Sequence, residues 1–591
     1  MLAANFSKVF TKDSLKAALA RMTSRGSTVG WVHLALFIAL VGLFTQDNRF
    51  PFYYHPDEGG KLEQLLESKL NFHHPLLMLN SVAIGAGLPL PATLDRQEYK
   101  RAVAAGRYSM SRQDLVIVGR TVNACFAAGA IVTLSLLAWF THGWVASLLM
   151  VPLLVVGTDL IVYARYLKED PSLLFGLAVV FLALWNCERR LTPGSAGCLG
   201  IACGLAASGK YVGICALAFA LPTLWFLQRR TWPRGETTNS RTIWTFFAAS
   251  FFGTMLLVNL QFLWGILSFK EGMSSEFEKL AQSQDGLTRQ VPHALQWKAL
   301  WASTALPALA CAALAPLAHV LAFRKAPPVW TITLFIFPWA YCGMLSFSSK
   351  AALHYLLPCQ LFVQANAGLT LAALVGAKRT DRLLPIGRGG LAFVWLIRTG
   401  AGAALLASIL VPEWKAFHLA RLGFRQDNRL EMVQFIAAHV PPDSVIAHDK
   451  KAKLPNDPRR PAEDVYSVKM PQEVRSVGGL GFISDLGELD TLRDQMGITH
   501  LVVCETDFGR FFRGTKTSAR VEVAPDVARR RTFYARLFSE GELLLTLPRG
   551  INTNLSPELS LYRISGTGLS TAKKIEEPFA AALPEGHPGR R

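Results

Sequence analysis

The sequence predicts a polytopic α-helical membrane protein with a soluble α/β domain at its C-terminal end. Of the 591 residues, 51% are hydrophobic and only 17% are charged, which is too few charges for an ordinary soluble protein. Apolar runs of near bilayer-crossing length recur from Trp31 to Val411 and then stop. Beyond residue 424, helical and strand-like patterns alternate instead. The chain therefore divides into a membrane part and a soluble part.

The first apolar run predicts an uncleaved membrane span over residues 30–46. The preceding segment, 1–29, is too long for a signal peptide, has no small-residue cleavage site and carries several basic residues. Basic residues favour the cytoplasmic side of a membrane. We therefore expect residues 1–29 in the cytoplasm and the loop 47–113 on the external side.

The later apolar runs predict about eleven spans in total. They are 114–140, 144–163, 171–187, two short helices within 197–227, 243–266, 299–323, 328–347, 351–376 and 391–411. The run 197–227 has arginines close to both ends, which favours a break near Ser208-Gly209-Lys210. One tilted span with a snorkelling Lys210 is the alternative.

This topology brings four polar clusters to the external face. They are the loop that begins "HPDEGGKLEQ", the turn "YLKEDP", the break at Lys210, and "SSKAALHYLLP" (348–358). Charged groups at or near membrane depth are costly and usually functional. We therefore expect the four clusters to form one site.

The acidic residues in these clusters are candidates for a general base. Asp57 and Glu58 lie just outside the first span, where partial burial would raise the basicity of a carboxylate. Both are also placed as acids in the first turn of a helix. The second acidic pair, Glu169 and Asp170, precedes Pro171, so that Asp170 is equally suited to cap a helix.

The cations beside these acids are typical of a site for a lipid phosphate. Lys168, Lys210, Lys350 and His354 would stabilise negative charge that develops on a phosphate leaving group. Arg120 in the second span either joins them or pairs with Asp114 or Glu98 near the interface.

The net charge of +19 does not predict nucleic-acid binding, because the charges are not gathered into a soluble basic face and many lie in short linkers between spans. Eight of the nine cysteines lie in or beside apolar runs and indicate no disulfide framework. His73 and His74 are adjacent, and neighbouring side chains rarely chelate one ion, so we expect no resident metal. A divalent cation between Asp57 and Asp170 is the weaker alternative.

The soluble part, 424–575, predicts a small α/β domain, followed by a flexible tail over 576–591. "RLEMVQFIAAHV" has helical spacing, and "SVIAHD", "THLVVCE" and "ELLLTLP" are typical of strands. "LGELDTLRDQMGITHLVV" predicts a helix followed by a strand. The glycine-rich "GGLGF" (478–482) lacks the strand and helix context of a phosphate-binding loop.

The motifs "HPDEGGKLEQ", "NFHHPLLML", "YLKEDP", "GLAASGKY" and "KAALHYLLP" occur in this order across about residues 30–411. In order and placement, the chain resembles glycosyltransferases of the GT-C superfamily that use polyprenyl-phosphate sugars, such as protein O-mannosyltransferases and lipid A aminoarabinose transferases. The doubled histidine His73-His74 departs from the "HPPL"-type segment of those enzymes.

The resemblance implies an inverting transfer of a hexosyl or pentosyl group from a polyprenyl-phosphate sugar to a lipid, glycan or protein acceptor. It implies Asp57 as the base, with Glu58 beside it, and Asp170 or Glu169 as the second acid. Lys210, Lys350, His354 and Tyr355 match positions that engage the lipid phosphate, and His55, His73 and His74 would support the loop or the acceptor.

The expected location is a bacterial inner membrane, with the site and the soluble domain extracytoplasmic. Two other classes stay open from the residues themselves. A phosphotransferase or ligase that acts on lipid-linked substrates would use the same cations. A transporter should show inverted repeats and charged residues at the bilayer midplane, and we find no repeat in the sequence.

Overall fold

The computed structural model describes residues 27–48, 57–68, 70–91, 97–98, 101–102, 105–106, 111–231, 240–281, 293–323, 327–347, 353–376, 388–449, 451–452, 475–478, 482–512, 525–552 and 555–565. Most of the predicted cytoplasmic segment, the predicted tail 576–591, and the site candidates His55 and Lys350 lie outside these residues.

The apolar runs form helices, because a chain in lipid must satisfy its backbone N–H and C=O groups within its own segment. The helices are α1 (Ser27–Thr45), α2 (Asp57–Glu67), α3 (Leu77–Gly85), α4 (Arg112–His142), α5 (Trp144–Val156), α6 (Leu160–Tyr163), α7 (Asp170–Arg189), α8 (Pro193–Gly209), α9 (Ala216–Thr231), α10 (Ser240–Val258), α11 (Ile266–Ala281), α12 (His293–Ser303), α13 (Leu306–Phe323), α14 (Val329–Leu345), α15 (Leu357–Gly376) and α16 (Arg388–Leu422).

Among the described residues, seven helices are long and apolar enough to cross a membrane, or eight if the bent pair α12 and α13 is one span. Helices α5 and α14 are shorter apolar helices. The predicted class, a polytopic helical membrane protein with a C-terminal sheet domain, is confirmed. The count of about eleven spans stays a prediction.

Two predicted spans have different bounds in the structure. The span predicted over 144–163 ends at Val156, because Gln364 on α15 donates its amide to the Gly157 carbonyl (2.9 Å) and occupies the space in front of this glycine. The span predicted over 299–323 is bent by 109° between α12 and α13. There the Glu413 carboxylate accepts the Ala305 N–H at 2.6 Å and stabilises the new helix start.

The predicted break near Lys210 is confirmed, and the single tilted span is wrong. Helix α8 ends at Gly209, Lys210 is extended (φ −158°, ψ 142°), and a 3-10 turn over Tyr211–Cys215 leads into α9. The chain folds back so tightly that a Cβ atom on Gly213 would lie 2.0 Å from the Ala206 carbonyl oxygen. Only glycine permits this approach.

Helix α7 packs against both α4 and α8. Small residues permit close packing here, since a Cβ atom on Gly176 of α7 would lie 2.5 Å from the Ala206 Cα. Helix α8 packs in turn against α10, and α15 packs against α5, α13 and α14. Helix α7, which carries Asp170 of the predicted acids at its start, is therefore held by both α4 and α8.

The C-terminal domain is a five-stranded sheet in the order β2-β1-β3-β5-β4. Strands β1, β2 and β3 are parallel, and β5 runs antiparallel to β3 and β4. Its elements are α17 (Asn428–His439), β1 (Val445–His448), β2 (Arg475–Gly478), β3 (His500–Cys504), α18 (Glu505–Phe512), α19 (Pro525–Glu540), β4 (Glu542–Leu547) and β5 (Leu559–Arg563).

The helix α17 and strands β1, β3 and β4 match the sequence prediction, whereas β2 and β5 were not predicted. The helix predicted before β3 is a single π-helical turn at Thr491–Gln495. Of "GGLGF", only Gly478 at the end of β2 and Phe482 fall within the described residues.

The C-terminal domain packs onto the membrane part close to the predicted site. Tyr166, Phe424 and Leu555 form a buried apolar cluster, and Asn552 donates a hydrogen bond to the Tyr166 hydroxyl at 3.3 Å. Arg425 forms an ion pair with Asp47 at 3.2 Å. The domain therefore rests on the segment that leads to Lys168, Glu169 and Asp170.

Candidate active site

Helix α2 brings one acid of its first turn into the protein and leaves the other at the surface. Glu58 is fully buried, and both of its carboxylate oxygens accept hydrogen bonds from the Arg120 guanidinium at 3.0 and 3.1 Å. Glu58 also accepts the Leu167 N–H at 2.9 Å, and Arg120 donates to the Asn48 carbonyl at 2.9 Å. These contacts tie α2 to α4 and to the turn before α7.

Asp57 is the more exposed acid of the pair. Its side chain is 53% exposed, and its Oδ2 atom lies 3.7 Å from the Lys168 ammonium, which is buried. The other three candidate acids, Glu58, Glu169 and Asp170, are each at most 2% exposed. Among these four carboxylates, Asp57 is thus the one that a substrate reaches most easily.

Lys61 lies one helical turn beyond Asp57 and points into the protein. Its ammonium forms an ion pair with Glu169, and both side chains are buried. His74 Nε2 lies 3.9 Å from the second oxygen of Glu169. The first external loop and the turn before α7 are thus joined by a lysine, a glutamate and a histidine.

Asp170 at the start of α7 holds the lysine at the break between α8 and α9. The Lys210 ammonium donates to Asp170 Oδ1 at 2.7 Å and lies 4.8 Å from the centre of the Tyr355 ring, within cation–π range. Oδ2 of Asp170 is buried and has no hydrogen-bond partner among the described residues.

His354 completes this end of the site. Its ring lies 4.2 Å from the Tyr355 ring and 5.9 Å from the Tyr163 ring, measured between centroids. The imidazole is also close enough to Asp170 to interact with its charge.

Backbone contacts hold the charged turn in place. The Asn123 amide donates to the carbonyls of Tyr166 and Lys168, the latter at 2.5 Å. The Tyr211 hydroxyl, directly after Lys210, donates to the Phe72 carbonyl at 3.0 Å and so links the helix break to the loop that carries His74. The site is therefore supported from α4, α7 and the first loop.

Burial and like charges shift the ionisation of the site cations. Burial lowers the pKa of Lys61 to about 7, and the nearby Lys168 and Lys210 act in the same direction against the pull of Asp57. Burial also lowers the pKa of Lys168. The pKa of His74 is held well below its usual value by burial and by the three lysines, so that its imidazole is neutral at pH 7.

Each of the four predicted polar clusters has residues that the structure describes, and these residues lie together in one region. Arg120 pairs with Glu58, and neither Asp114 nor Glu98 is its partner. Asp170 binds Lys210, and no side chain caps the start of α7. His73 lies in the same loop as His74, and its backbone N–H donates to the Asn71 side-chain oxygen. The catalytic and binding roles of all these residues stay predictions.

Lys61 is the site residue that the sequence reasoning missed. Helical spacing was the available signal, because Glu58, Lys61, Leu62 and Leu65 share the buried face of α2. A lysine on such a face requires a partner, and Glu169 is that partner. In the part of the chain that the structure describes, no group of three or more His, Cys, Asp or Glu side chains is arranged to hold a metal ion.

Comparisons with known proteins address the fold. No family model matches the sequence, and no curated protein matches it either. The crystal structure of ArnT from Cupriavidus metallidurans bound to undecaprenyl phosphate matches with a TM-score of 0.50 and 14% identity, over 91% of this chain and 98% of that chain. The chain has the GT-C fold.

Two further solved structures are similar at lower scores. The same ArnT in the apo state gives a TM-score of 0.49 with 15% identity, over 91% of this chain and 98% of that chain. The Archaeoglobus fulgidus oligosaccharyltransferase in the apo form gives a TM-score of 0.41 with 10% identity, over 81% of this chain and 70% of that chain. The match with ArnT bound to undecaprenyl phosphate covers 91% of this chain and therefore extends from the membrane part into the C-terminal domain.

Proposed function

We propose that the chain is a membrane glycosyltransferase that moves a sugar from a polyprenyl-phosphate donor to an acceptor hydroxyl. The observation that supports this is the exposed Asp57 beside a set of buried lysines, each paired with an acid. A glycosyl transfer from a lipid phosphate needs a base for the acceptor and positive charge for the leaving phosphate. The fold supports the proposal, since ArnT with this fold was solved with undecaprenyl phosphate bound.

Asp57 serves as the general base in this proposal. Its carboxylate takes the proton of the acceptor hydroxyl, and the acceptor oxygen attacks the anomeric carbon of the sugar. The bond from that carbon to the phosphate oxygen breaks, and the phosphate leaves with the electron pair. Because the displacement is a single step, the configuration at the anomeric carbon is inverted.

Lys210 is the first candidate to bind the phosphate, with His354 and Tyr355 beside it. Asp170 Oδ1 orients the Lys210 ammonium, which has further N–H groups available for a phosphate oxygen. Lys61 and Lys168 add positive charge close to Lys210. Lysine ammonium groups thus supply the charge stabilisation, and the proposal includes no metal ion.

The buried Oδ2 atom of Asp170 supports a second role for this acid. The atom has no hydrogen-bond partner among the described residues, and leaving it so would be unfavourable. A hydroxyl group of the donor sugar would satisfy it. Asp170 then orients both Lys210 and the sugar, while Glu58 holds Arg120 and has a structural role.

Transfer of radiolabelled sugar from a polyprenyl-phosphate donor extract tests the proposal, in membranes that contain wild type or Asp57→Asn at equal expression. We expect the substitution to lower the rate by about 100-fold or more, as for loss of a general base. Glu63→Gln is the matched control, because Glu63 is an exposed acid on the same helix.

The outcomes test the role of Asp57 and the transferase activity separately. Full activity of Asp57→Asn would remove Asp57 from catalysis and leave the transferase proposal standing. No transfer by wild type with several donors would count against the transferase itself, and would favour a phosphotransferase or ligase.

We further propose that the protein resides in the bacterial inner membrane, with the site and the C-terminal domain on the extracytoplasmic face. The basic residues at the C-terminal ends of α7 and α9, Arg189, Arg190, Arg229 and Arg230, lie at helix ends that are opposite the site. Such residues favour the cytoplasmic side.

A further inference from the structure

A cavity of about 420 Å³ lies at the opposite end of the membrane part from the candidate active site. Asp170 and Arg189 mark the two ends of α7, which at 1.5 Å per residue are about 28 Å apart. Arg189 lines the cavity together with residues of α4, α13 and α14. The cavity is therefore separate from the site described above.

Several polar side chains lie among the apolar residues that line the cavity, which is formed by four helices of a membrane protein. His142 and His319 approach each other with their ring centres 5.6 Å apart. Thr331 also lines the cavity and is fully buried, and its hydroxyl has no hydrogen-bond partner among the described residues. A buried hydroxyl without a hydrogen bond is unfavourable unless a ligand or a water molecule forms one with it.

Among the residues that the structure describes, arginines outnumber acids at and beside the cavity. Glu188 lines it, but its two oxygens already accept the Val329 and Trp330 N–H groups at 3.0 and 2.9 Å. Arg230 lies 3.8 Å from the same carboxylate, and Arg189 is exposed at the rim. Arg189 on the cavity lining and Arg230 beside Glu188 thus outnumber this one acid among the described residues, and the excess charge is positive.

Aromatic rings line the cavity, and exposed apolar side chains follow on the next helix, α5. Phe140 stacks on Trp185 with ring centres 5.3 Å apart, and the Arg189 guanidinium lies 4.9 Å from the centre of the Trp185 ring. Phe140 is half exposed, and Trp144 and Leu148 follow it on α5 as exposed apolar residues. Such an apolar surface can contact the acyl chains of a lipid. It therefore favours a lipid phosphate over a free phosphate, which has no acyl chains.

We infer that this cavity binds the phosphate group of an anionic phospholipid from the adjoining membrane leaflet. Arg189 at the rim pairs with the phosphate, the Thr331 hydroxyl donates to one of its oxygens, and the acyl chains lie along α5. Basic pockets between membrane helices are a known type of site for anionic lipids. The inference does not depend on the proposed transferase activity.

Native mass spectrometry of the purified full-length chain tests this inference. The probes are phosphatidylglycerol, phosphatidylcholine and the soluble glycerol 3-phosphate, each titrated into protein in nonionic detergent. We expect phosphatidylglycerol to bind most tightly. Arg189→Gln and the nearly isosteric Thr331→Val should each weaken it by about tenfold or more, as for loss of one hydrogen bond to a charged group.

Arg229→Gln is the matched control. Arg229 is an exposed arginine whose guanidinium also lies over a tryptophan, 4.4 Å from the Trp225 ring centre, but it does not line the cavity. We expect Arg229→Gln to bind phosphatidylglycerol like wild type. Equal weakening by Arg189→Gln and Arg229→Gln would show non-specific attraction to surface charge and would overturn the inference.

The other probes provide two further ways to overturn it. Equal affinity for phosphatidylcholine would mean that the cavity does not select an anionic lipid. Glycerol 3-phosphate that binds as tightly as the lipid would mean that a soluble phosphate compound is the ligand.

Discussion

Lys61 is a buried lysine whose ionisation changes close to neutral pH. Burial lowers its pKa to about 7, so that the side chain is charged below this pH and neutral above it. If its charge helps to bind the donor phosphate, the transfer rate should fall as the pH rises through about 7. Arginine keeps its charge throughout this range.

We therefore expect Lys61→Arg to shift the alkaline decline of the rate upward by at least about one pH unit. Initial transfer rates between pH 5.5 and 9 measure this, and Lys415→Arg, an exposed lysine on α16, is the control. An unchanged decline in Lys61→Arg would assign the pH dependence to another group.

Glu58 differs from its neighbour Asp57 in what its loss should change. Glu58→Gln removes the charge that compensates the buried Arg120, and breaking a buried ion pair costs about 3 to 5 kcal/mol. We expect a lower midpoint of thermal unfolding for the purified protein. Light scattering or size-exclusion chromatography after heating measures this midpoint. Asp57→Asn should leave the midpoint unchanged.

The double variant Glu58→Met/Arg120→Met is the control for this prediction. Removing both charges together should restore part of the lost stability, because no charge is then left unpaired. A double variant that is less stable than Glu58→Gln would show that the ion pair itself, and not the orphaned arginine, determines the effect.

At the scale of elements, the close approach of α7 and α8 positions Lys210. A Cβ atom on Gly209 would lie 2.8 Å from the Leu173 N atom and the Ser172 carbonyl carbon, which are backbone atoms that cannot rotate away. Gly209→Ala should therefore push the helix break away from α7, destabilise the protein by about 1 to 3 kcal/mol and lower the transfer rate.

Gly253→Ala on α10 is the matched control, because a Cβ atom there meets nothing within 4 Å. It should keep both stability and transfer rate. Thermal unfolding and transfer assays on both variants measure the difference. A Gly209→Ala protein with wild-type activity would show that the position of Lys210 tolerates such a shift.

At the scale of the whole molecule, the C-terminal domain supports the turn that carries the site. Phe424 is buried between the two parts, where it contacts Tyr166 and lies under the Arg165 guanidinium at 4.7 Å. Phe424→Ala should cost about 3 to 5 kcal/mol. We also expect faster hydrogen exchange in residues 160–168 and a lower transfer rate.

Phe512→Ala is the control for this coupling. Phe512 is 38% exposed, and its aromatic neighbours Phe508 and Phe538 belong to the same domain. Its loss should leave exchange in residues 160–168 unchanged. If Phe424→Ala also leaves that exchange unchanged, the domain does not support the turn.

The positions of most membrane helices could be predicted from the amino-acid pattern alone. The apolar runs, the break at Lys210 and the strands β1, β3 and β4 were all predicted, because hydrophobicity and its periodicity are local properties of the chain. The bend at 303–305 and the end of α5 at Val156 were not, since Glu413 and Gln364, on other helices, stabilise them.

The tertiary structure alone decided which charges meet. Glu58 pairs with Arg120, Lys61 with Glu169 and Lys210 with Asp170, across 62, 108 and 40 residues of sequence. Except for Lys61, sequence patterns collected these residues into one region, but not into pairs, because several acids and cations were equally suitable partners for each other. Burial selects the pairs: a charge that leaves water must find its counterion within a few ångströms, and only helix packing determines which one is there.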